Sequence, residues 1–361
     1  MVSEDRLVQT FLELVHIDSP SEHEEAIGSD LADRLAALGV TVERDASGNV
    51  FGRLRGDEAS DDWLLLAAHM DTVGEDRGIT PVIRDGVIYS DGTTILGGDD
   101  KSGIAVILEV LQVQQEQQLP HRHLEVIFTV EEELNLGRKG RIDMSRVRSR
   151  QGIVLDSGGP QGAYVFSAPS QDKLVVTVHG RAAHAGSEPE KGINAIRVAA
   201  EAIAAMPLGR IDEETVANIG VIKGGTAANI VPDNVFIKGQ ARSRDDDKLR
   251  RQTAAMVQEL ENAAARHGAT LDLLSERAYH GYRLEEDAPI RRLVEAAMLT
   301  IGLDPLPAAS GGGSDANIFN RAGIESVPLS TGMSAVHTKD EHIAIADMVG
   351  CAELLLTIVQ Q

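Results

Sequence analysis

Two nearly continuous apolar runs constrain the fold of this chain more than any other feature. "WLLLAAH", residues 63–69, and "HLEVIFTV", residues 123–130, lack the strict alternation of a half-exposed strand and are too short for helices of typical length. Such runs read as strands of a sheet covered on both faces. Each ends in acid: Met70 and Asp71 follow the first, and the three glutamates 131–133 of "TVEEEL" follow the second. Three adjoining carboxylates at the end of a buried strand repel one another unless a cation, a shared proton or water screens them.

The flanking segments supply layers for that sheet. Leu7, Phe11, Leu14 and Val15 recur at helical spacing, as do Ile27, Leu31, Leu35 and Leu38, with Gly39 as a stop. Short strands are expected at "VTVERD" and "NVFGRLRG", a helix at "GIAVILEVLQVQQEQQ" and a strand at "GIVLDS". That order predicts a mixed α/β sheet. From about residue 170 the rhythm changes to strand, helix, strand, strand, helix, strand, the ferredoxin-like βαββαβ pattern. "APIRRLVEAAMLTIG" then returns to a helix, and "IAIADMVGCAELLLTIVQ" is expected as a long closing helix. The predicted architecture is a catalytic-size α/β domain over 1–170 and 280–361, interrupted by a small domain over 171–279.

Composition narrows the partners. The formal net charge is -22, from 34 basic and 56 acidic residues, which disfavours nucleic-acid phosphate or an anionic membrane surface as a general partner. The single cysteine, Cys351, cannot form an internal disulfide and reads as a buried thiol. "MVSEDRL" lacks a basic segment followed by an apolar one, and no apolar run approaches membrane-spanning length, so a cytoplasmic location is the expectation.

In open α/β sheets, ligands bind beyond the carboxyl ends of the strands. The polar segments at predicted strand ends are "HMD", "GGDDKSG", "EEE", "DSGG" and "SAVHTKDEH". Carboxylates crowd these segments and two of them carry a histidine, a set richer in acid than a nucleophilic triad needs and suited to two divalent metals. His69 ends a buried strand and has Asp71 two residues on as a partner for its imidazole. Rival motifs fail. In "GGDDKSG", Asp99 and Asp100 stand where a phosphate loop needs glycine and free amides. "GGGSDA" has Ala316 where a nucleophile elbow around Ser314 needs glycine, and "HEEAI" near His23 lacks the second histidine of a zinc-protease helix.

The segments "AAHMD", "GGDDKSG", "TVEEEL", "VLDSGG", "GRAAHAG", "GGTAAN", "GGGSDA" and "VHTKDE" fall in an order that resembles the dinuclear zinc peptidases related to peptidase T. That family also includes carboxypeptidase G-type enzymes, aminoacylases and succinyl-diaminopimelate desuccinylase. The resemblance covers nearly the whole chain and implies a zinc-peptidase catalytic domain with an inserted dimerisation or lid domain, and a homodimer. It implies that His69, Asp99 and Asp156 hold one zinc, that Asp99 bridges to a second, and that Glu133 and His337 complete the second site. Manganese or cobalt would suit the same ligands. By the same resemblance Asp71 orients His69 and Glu132 is the general base and acid. His184 matches a histidine that reaches the active site of the other subunit, Asn229 and Arg242 match positions that handle the oxyanion and the substrate carboxylate, and Gly312 and Gly313 line the substrate.

One departure bears on substrate. Tripeptidase members carry an arginine just before "GGTD", whereas this chain has Gly311 before "GGSD". The expected activity is therefore hydrolysis of an amide bond in short peptides by an aminopeptidase-like or tripeptidase-like exopeptidase, with an N-acyl amino acid deacylase or carboxypeptidase as the alternative. A catalytically silent metal-binding scaffold is the reading from another class. The presence of both Glu132 and Asp71 argues against it.

Overall fold

The computed structural model describes residues 1–56, 62–136 and 141–361. Two compact units emerge from it: Met1–Ser167 with Arg283–Ser310 and Ser314–Gln361, and Ala168–Tyr282 with Gly311–Gly313.

In the larger unit the strand Trp63–His69 lies between His123–Thr129 and Gln151–Gly158, parallel to both. Glu325–Ser334 runs parallel on the far side of Gln151–Gly158. These four strands point the same way, so their carboxyl ends share one edge. All seven residues of Trp63–His69 and of His123–Thr129 are buried. Successive side chains point to opposite faces, so burial of every position means that both faces are covered, as the apolar runs predict. The helix Gly98–Gln117 packs on Trp63–His69 and Gln151–Gly158 and is itself flanked by helices Glu4–Val15 and Ile345–Val359. Ile104–Leu111 of that helix is buried all round, which explains why its sequence lacks a polar stripe.

The expected closing helix begins late. His342–Ala344 is a strand that pairs antiparallel with Met333–Ser334 and with Val87–Tyr89, and the helix proper is Ile345–Val359. Sheet pairing takes the first apolar residues that helical periodicity would claim. The hairpin Pro81–Arg84 and Val87–Ser90 turns on Asp85 and Gly86, both left-handed with φ 50° and 76°. This is the aspartate-glycine turn that favours two-residue hairpins.

The smaller unit folds as Ser170–His179, Ala195–Ala205, Thr215–Gly224, Asn234–Ser243, Asp246–His267 and Thr270–Tyr279, with a short added strand at Gly209–Arg210. Its sheet is antiparallel, with Asn234–Ser243 and Ser170–His179 in the middle. Leu174, Val176 and Val178 alternate inward onto Val198, Ala202, Leu249 and Met256 of the two helices. The helices start on side-chain caps: Asn194 accepts from Arg197 N, and Asp245 accepts from Asp247 N and Lys248 N. Among the described residues no helix is long and apolar enough to cross a membrane.

Candidate metal centre

The common edge of the four parallel strands gathers the acids. His69 is the last residue of its strand, and Thr129, its register partner, ends the next. Glu131 follows with φ 55° and ψ 32°, a left-handed residue that starts the single helical turn Glu132–Asn135. This differs from an extended "EEE", in which Glu131 and Glu133 would point alike. The left-handed step and the turn break that alternation instead. Asp156 lies near the end of Gln151–Gly158, and His337, itself left-handed at φ 64°, follows Glu325–Ser334.

Asp99 enters from the amino end of the helix Gly98–Gln117 with non-helical φ -84° and ψ 103°. Two glycines make room for it. Gly97 is left-handed at φ 72°, and a Cβ on Gly98 would stand 3.2 Å from Glu341 Oε1.

Among the described residues, two groups could each hold a metal ion: His69, Asp99 and Asp156, and Asp99, Glu133 and His337, with the ligand atoms of each group within 4.8 Å of one another. Asp99 belongs to both. Its Oδ1 lies 3.0 Å from His69 Nε2 and its Oδ2 lies 3.2 Å from His337 Nε2. Glu133 Oε1 is buried and receives no hydrogen bond of good geometry from the described residues, although His337 Nε2 is 3.0 Å away.

The electrostatics show how crowded this charge is. Burial, and then the charge of Asp99, push the Asp156 carboxyl up to about 7. Burial and the charge of Asp156 hold Glu132 well above the usual carboxylate range. The adjoining carboxylates of Asp99 and then Glu133 push His337 up to about 10. Burial opposes charge on His69, yet its contacts with Asp71 and Asp99 raise it well above the ordinary imidazole value. Protons thus gather where carboxylates converge, which is the condition that divalent cations relieve. Carboxylate oxygens and imidazole nitrogens are borderline-to-hard donors, so the donor set fits such ions.

Glu132 belongs to neither group of ligand atoms. It is 9% exposed and next to Glu133 in the chain. Asp71 has a different geometry from that of a simple histidine partner. His69 Nδ1 is 2.9 Å from the backbone oxygen of Asp71 and 3.4 Å from its Oδ1. The Asp71 carboxylate instead accepts from Glu132 N at 2.9 Å, Glu133 N at 3.1 Å and the Ser21 hydroxyl at 2.6 Å.

Other supports were not singled out from sequence. Glu24 accepts from Glu131 N at 2.9 Å and Asn49 Oδ1 from Val130 N at 3.0 Å, so four consecutive amides, 130–133, each meet a side-chain acceptor. Glu24 lies in "HEEAI", a segment that carries no second histidine and no motif of its own. Asp315 accepts from Thr129 Oγ1 at 2.5 Å and pairs with buried Arg141, whose Nη1 donates to Val130 O at 2.7 Å. Ser314 caps the helix Asp315–Arg321 in a reciprocal capping box with Asn317, a structural role in place of a nucleophile.

His184, Asn229 and Arg242 lie in the smaller unit. The first two are joined through backbone: Ala185 N donates to Asn229 O at 3.0 Å, and Val231 N to Ala183 O at 2.9 Å. His184 Nδ1 accepts from Gly186 N and Ser187 N, which places the proton of the neutral ring on Nε2. Arg242 Nη2 donates to Gln240 Oε1 at 3.3 Å. Gly311 to Gly313 group with this unit, and a Cβ on Gly313 would collide with Tyr279 at 2.5 Å, whereas one on Gly311 meets nothing within 4 Å.

Comparison with known proteins adds a consistent set of relatives. A family profile described as "Peptidase family M20/M25/M40" matches residues 65–361. The Bacillus subtilis (strain 168) protein YqjE, described as uncharacterized, is 40% identical over 100% of this chain and 99% of its own. The crystal structure of aminopeptidase PepT from Bacillus cereus ATCC 10987 superposes with a TM-score of 0.87 at 40% identity, covering 99% of this chain and 98% of that one. A tripeptidase from Staphylococcus aureus subsp. aureus mu50 superposes with a TM-score of 0.93 at 36% identity, covering 100% and 98%.

Proposed function

The chain belongs to peptidase family M20/M25/M40, and from that premise we propose that it is a two-metal exopeptidase that hydrolyses an amide bond of short peptides. The observation that carries this reading is the pair of three-residue clusters that share Asp99, with Glu132 beside them and outside both. His69, Asp99 and Asp156 would hold one ion, and Asp99, Glu133 and His337 the other. When bound, such a pair of cations supplies Lewis-acid polarisation of a carbonyl and makes water more acidic. Zinc is the metal we assign, since two imidazoles among carboxylates suit it.

Glu132 takes the proton of the attacking water as the carbon–oxygen bond forms, and returns it to the amine nitrogen as the carbon–nitrogen bond breaks. Asp71 holds the amides of Glu132 and Glu133, and with them the direction of both side chains. His184 Nε2–H is a donor available to a developing oxyanion. We assign that role in the active site of a second copy, with the 171–279 domain as the dimerisation element, Asn229 and Arg242 as oxyanion and carboxylate partners, Gly312 and Gly313 as substrate backbone contacts, and the cytoplasm as the location.

A deacylase or carboxypeptidase reading is favoured by one residue, Gly311, where tripeptidases carry arginine. Liquid chromatography of di- and tripeptides against N-acyl and N-carbamoyl amino acids separates the two. The mechanism itself is tested by chelation followed by zinc. Activity is expected to vanish and return, and Glu132→Gln is expected to keep two zinc ions while losing turnover. Undiminished turnover in that variant refutes the assigned base.

A further inference from the structure

We propose that Glu341 is a positioning residue that sets the geometry of Asp99 and thereby governs both metal sites. The inference rests on the reading of Asp99 as the shared ligand. Glu341 is 1% exposed and belongs to neither cluster of ligand atoms. It accepts three backbone N–H groups from one short segment: Leu96 N at 2.8 Å and Gly97 N at 2.9 Å on Oε2, and Asp99 N at 3.0 Å on Oε1. These amides lie just before or in the first turn of the helix Gly98–Gln117 and lack the intrahelical acceptors that later residues enjoy. A charged acceptor supplies strong bonds to such donors.

The other end of Glu341 is tied to His337. Glu341 N donates to Thr338 O at 3.2 Å, and the Thr338 hydroxyl donates to Ala335 O at 2.7 Å, which closes the turn that contains His337. One side chain therefore fastens the segment bearing Asp99 to the segment bearing His337. Gly98 fits this arrangement, because a side chain there would press on Glu341 Oε1. Since Asp99 serves both clusters, loosening it weakens both, whereas a contact supporting Asp156 or Glu133 alone would affect one.

The experiment titrates metal-depleted full-length protein with zinc against a chromophoric chelator, and follows thermal unfolding of the same metal-free samples. Wild type is expected to bind two ions. Glu341→Ala is expected to weaken both sites by about 10- to 100-fold. Glu341→Gln falls between, because its one carbonyl oxygen can keep Leu96 N and Gly97 N while its amide opposes Asp99 N. Glu109→Gln is the control: Glu109 is equally buried but holds Ser3 N and Arg6, so its loss lowers the unfolding midpoint and leaves both affinities unchanged. Wild-type affinity at both sites in folded Glu341→Ala, or weakening confined to one site, overturns the proposal. Should the alanine variant fail to fold, wild-type affinities in Glu341→Gln overturn it. Fewer than two ions in wild type refutes the shared-ligand reading itself, and the proposal with it.

Discussion

Asp71→Asn changes no volume, yet the structure makes it a severe substitution. Both carboxylate oxygens are acceptors: Oδ1 takes Glu132 N, and Oδ2 takes Glu133 N and the Ser21 hydroxyl. An asparagine keeps one oxygen and presents an NH2 on the other side. Whichever way it turns, at least one backbone N–H of the 132–133 turn faces a donor. A hydrogen bond to a charged group is worth about 1.5–3 kcal/mol, and a stranded buried donor costs about 1–3 kcal/mol, so the turn is destabilised by about 3–5 kcal/mol. About 3 kcal/mol corresponds to roughly two decades of rate. We therefore expect kcat/KM to fall by about 100-fold or more. The expected pattern among the sites is equally specific. His69 keeps its nearest Nδ1 partner, the Asp71 backbone oxygen at 2.9 Å, so its orientation survives. Anomalous-scattering occupancies from crystals grown with zinc should show loss at the Glu133–His337 site before the His69–Asp156 site. If kcat/KM stays within threefold of wild type, or if the His69 site empties first, Asp71 acts through the imidazole and the reasoning is wrong.

Four further outcomes follow from three other positions. Burial, and then the charge of Asp100, push the Cys351 thiol up to about 12; at pH 8 roughly one native molecule in ten thousand carries the thiolate, so a thiol reagent should label the chain only after unfolding. The same shift keeps the native thiol protonated, so its contribution to stability is complete below about pH 9 and is lost as pH rises toward 12, a trend that denaturant titration at several pH values measures. Gly103→Ala places a Cβ 2.5 Å from Asp100 Oδ1 and 2.6 Å from Leu155 O, and urea unfolding should register a loss of about 1–3 kcal/mol. Gly311→Arg meets no atom within 4 Å at its Cβ; it should fold normally and lower KM for a tripeptide relative to its N-acyl amino acid counterpart, and an unchanged ratio denies the position a role in substrate choice.

Much of the larger unit was legible because burial on both faces writes itself as uninterrupted apolar residues, as in Trp63–His69. The small unit was legible for the opposite reason: Ser170–His179 buries one face and alternates. What periodicity could not resolve was competition between elements. His342–Ala344 carries helix-compatible residues, and only its pairing with Met333–Ser334 makes it a strand. Within the site, the motifs brought His69, Asp99, Asp156, Glu133 and His337 into view by type and order. The helical turn that carries Glu132 and Glu133 was hidden, because it starts from the left-handed backbone of Glu131 and not from any residue identity.

The acids near the site fall into two chemical classes that look alike in sequence. Asp99, Glu133 and Asp156 turn their oxygens toward imidazoles and one another. Glu24, Asp71, Asp100 and Glu341 turn theirs toward backbone N–H groups of segments distant in the chain: Glu131, Glu132 and Glu133, His69, and Leu96 to Asp99. The second class is needed because the first is electrostatically unfavourable. Carboxylates that repel will splay apart unless their backbones are fixed, and charge-assisted bonds to amides fix them without adding positive side chains that would compete for the ligands. An arginine in the place of Glu24 or Glu341 would pair with the ligand carboxylates and deny them to a cation. The acid surplus around this centre is thus two interlocked functions, in which one set of carboxylates is held in mutual repulsion by the hydrogen bonds of the other.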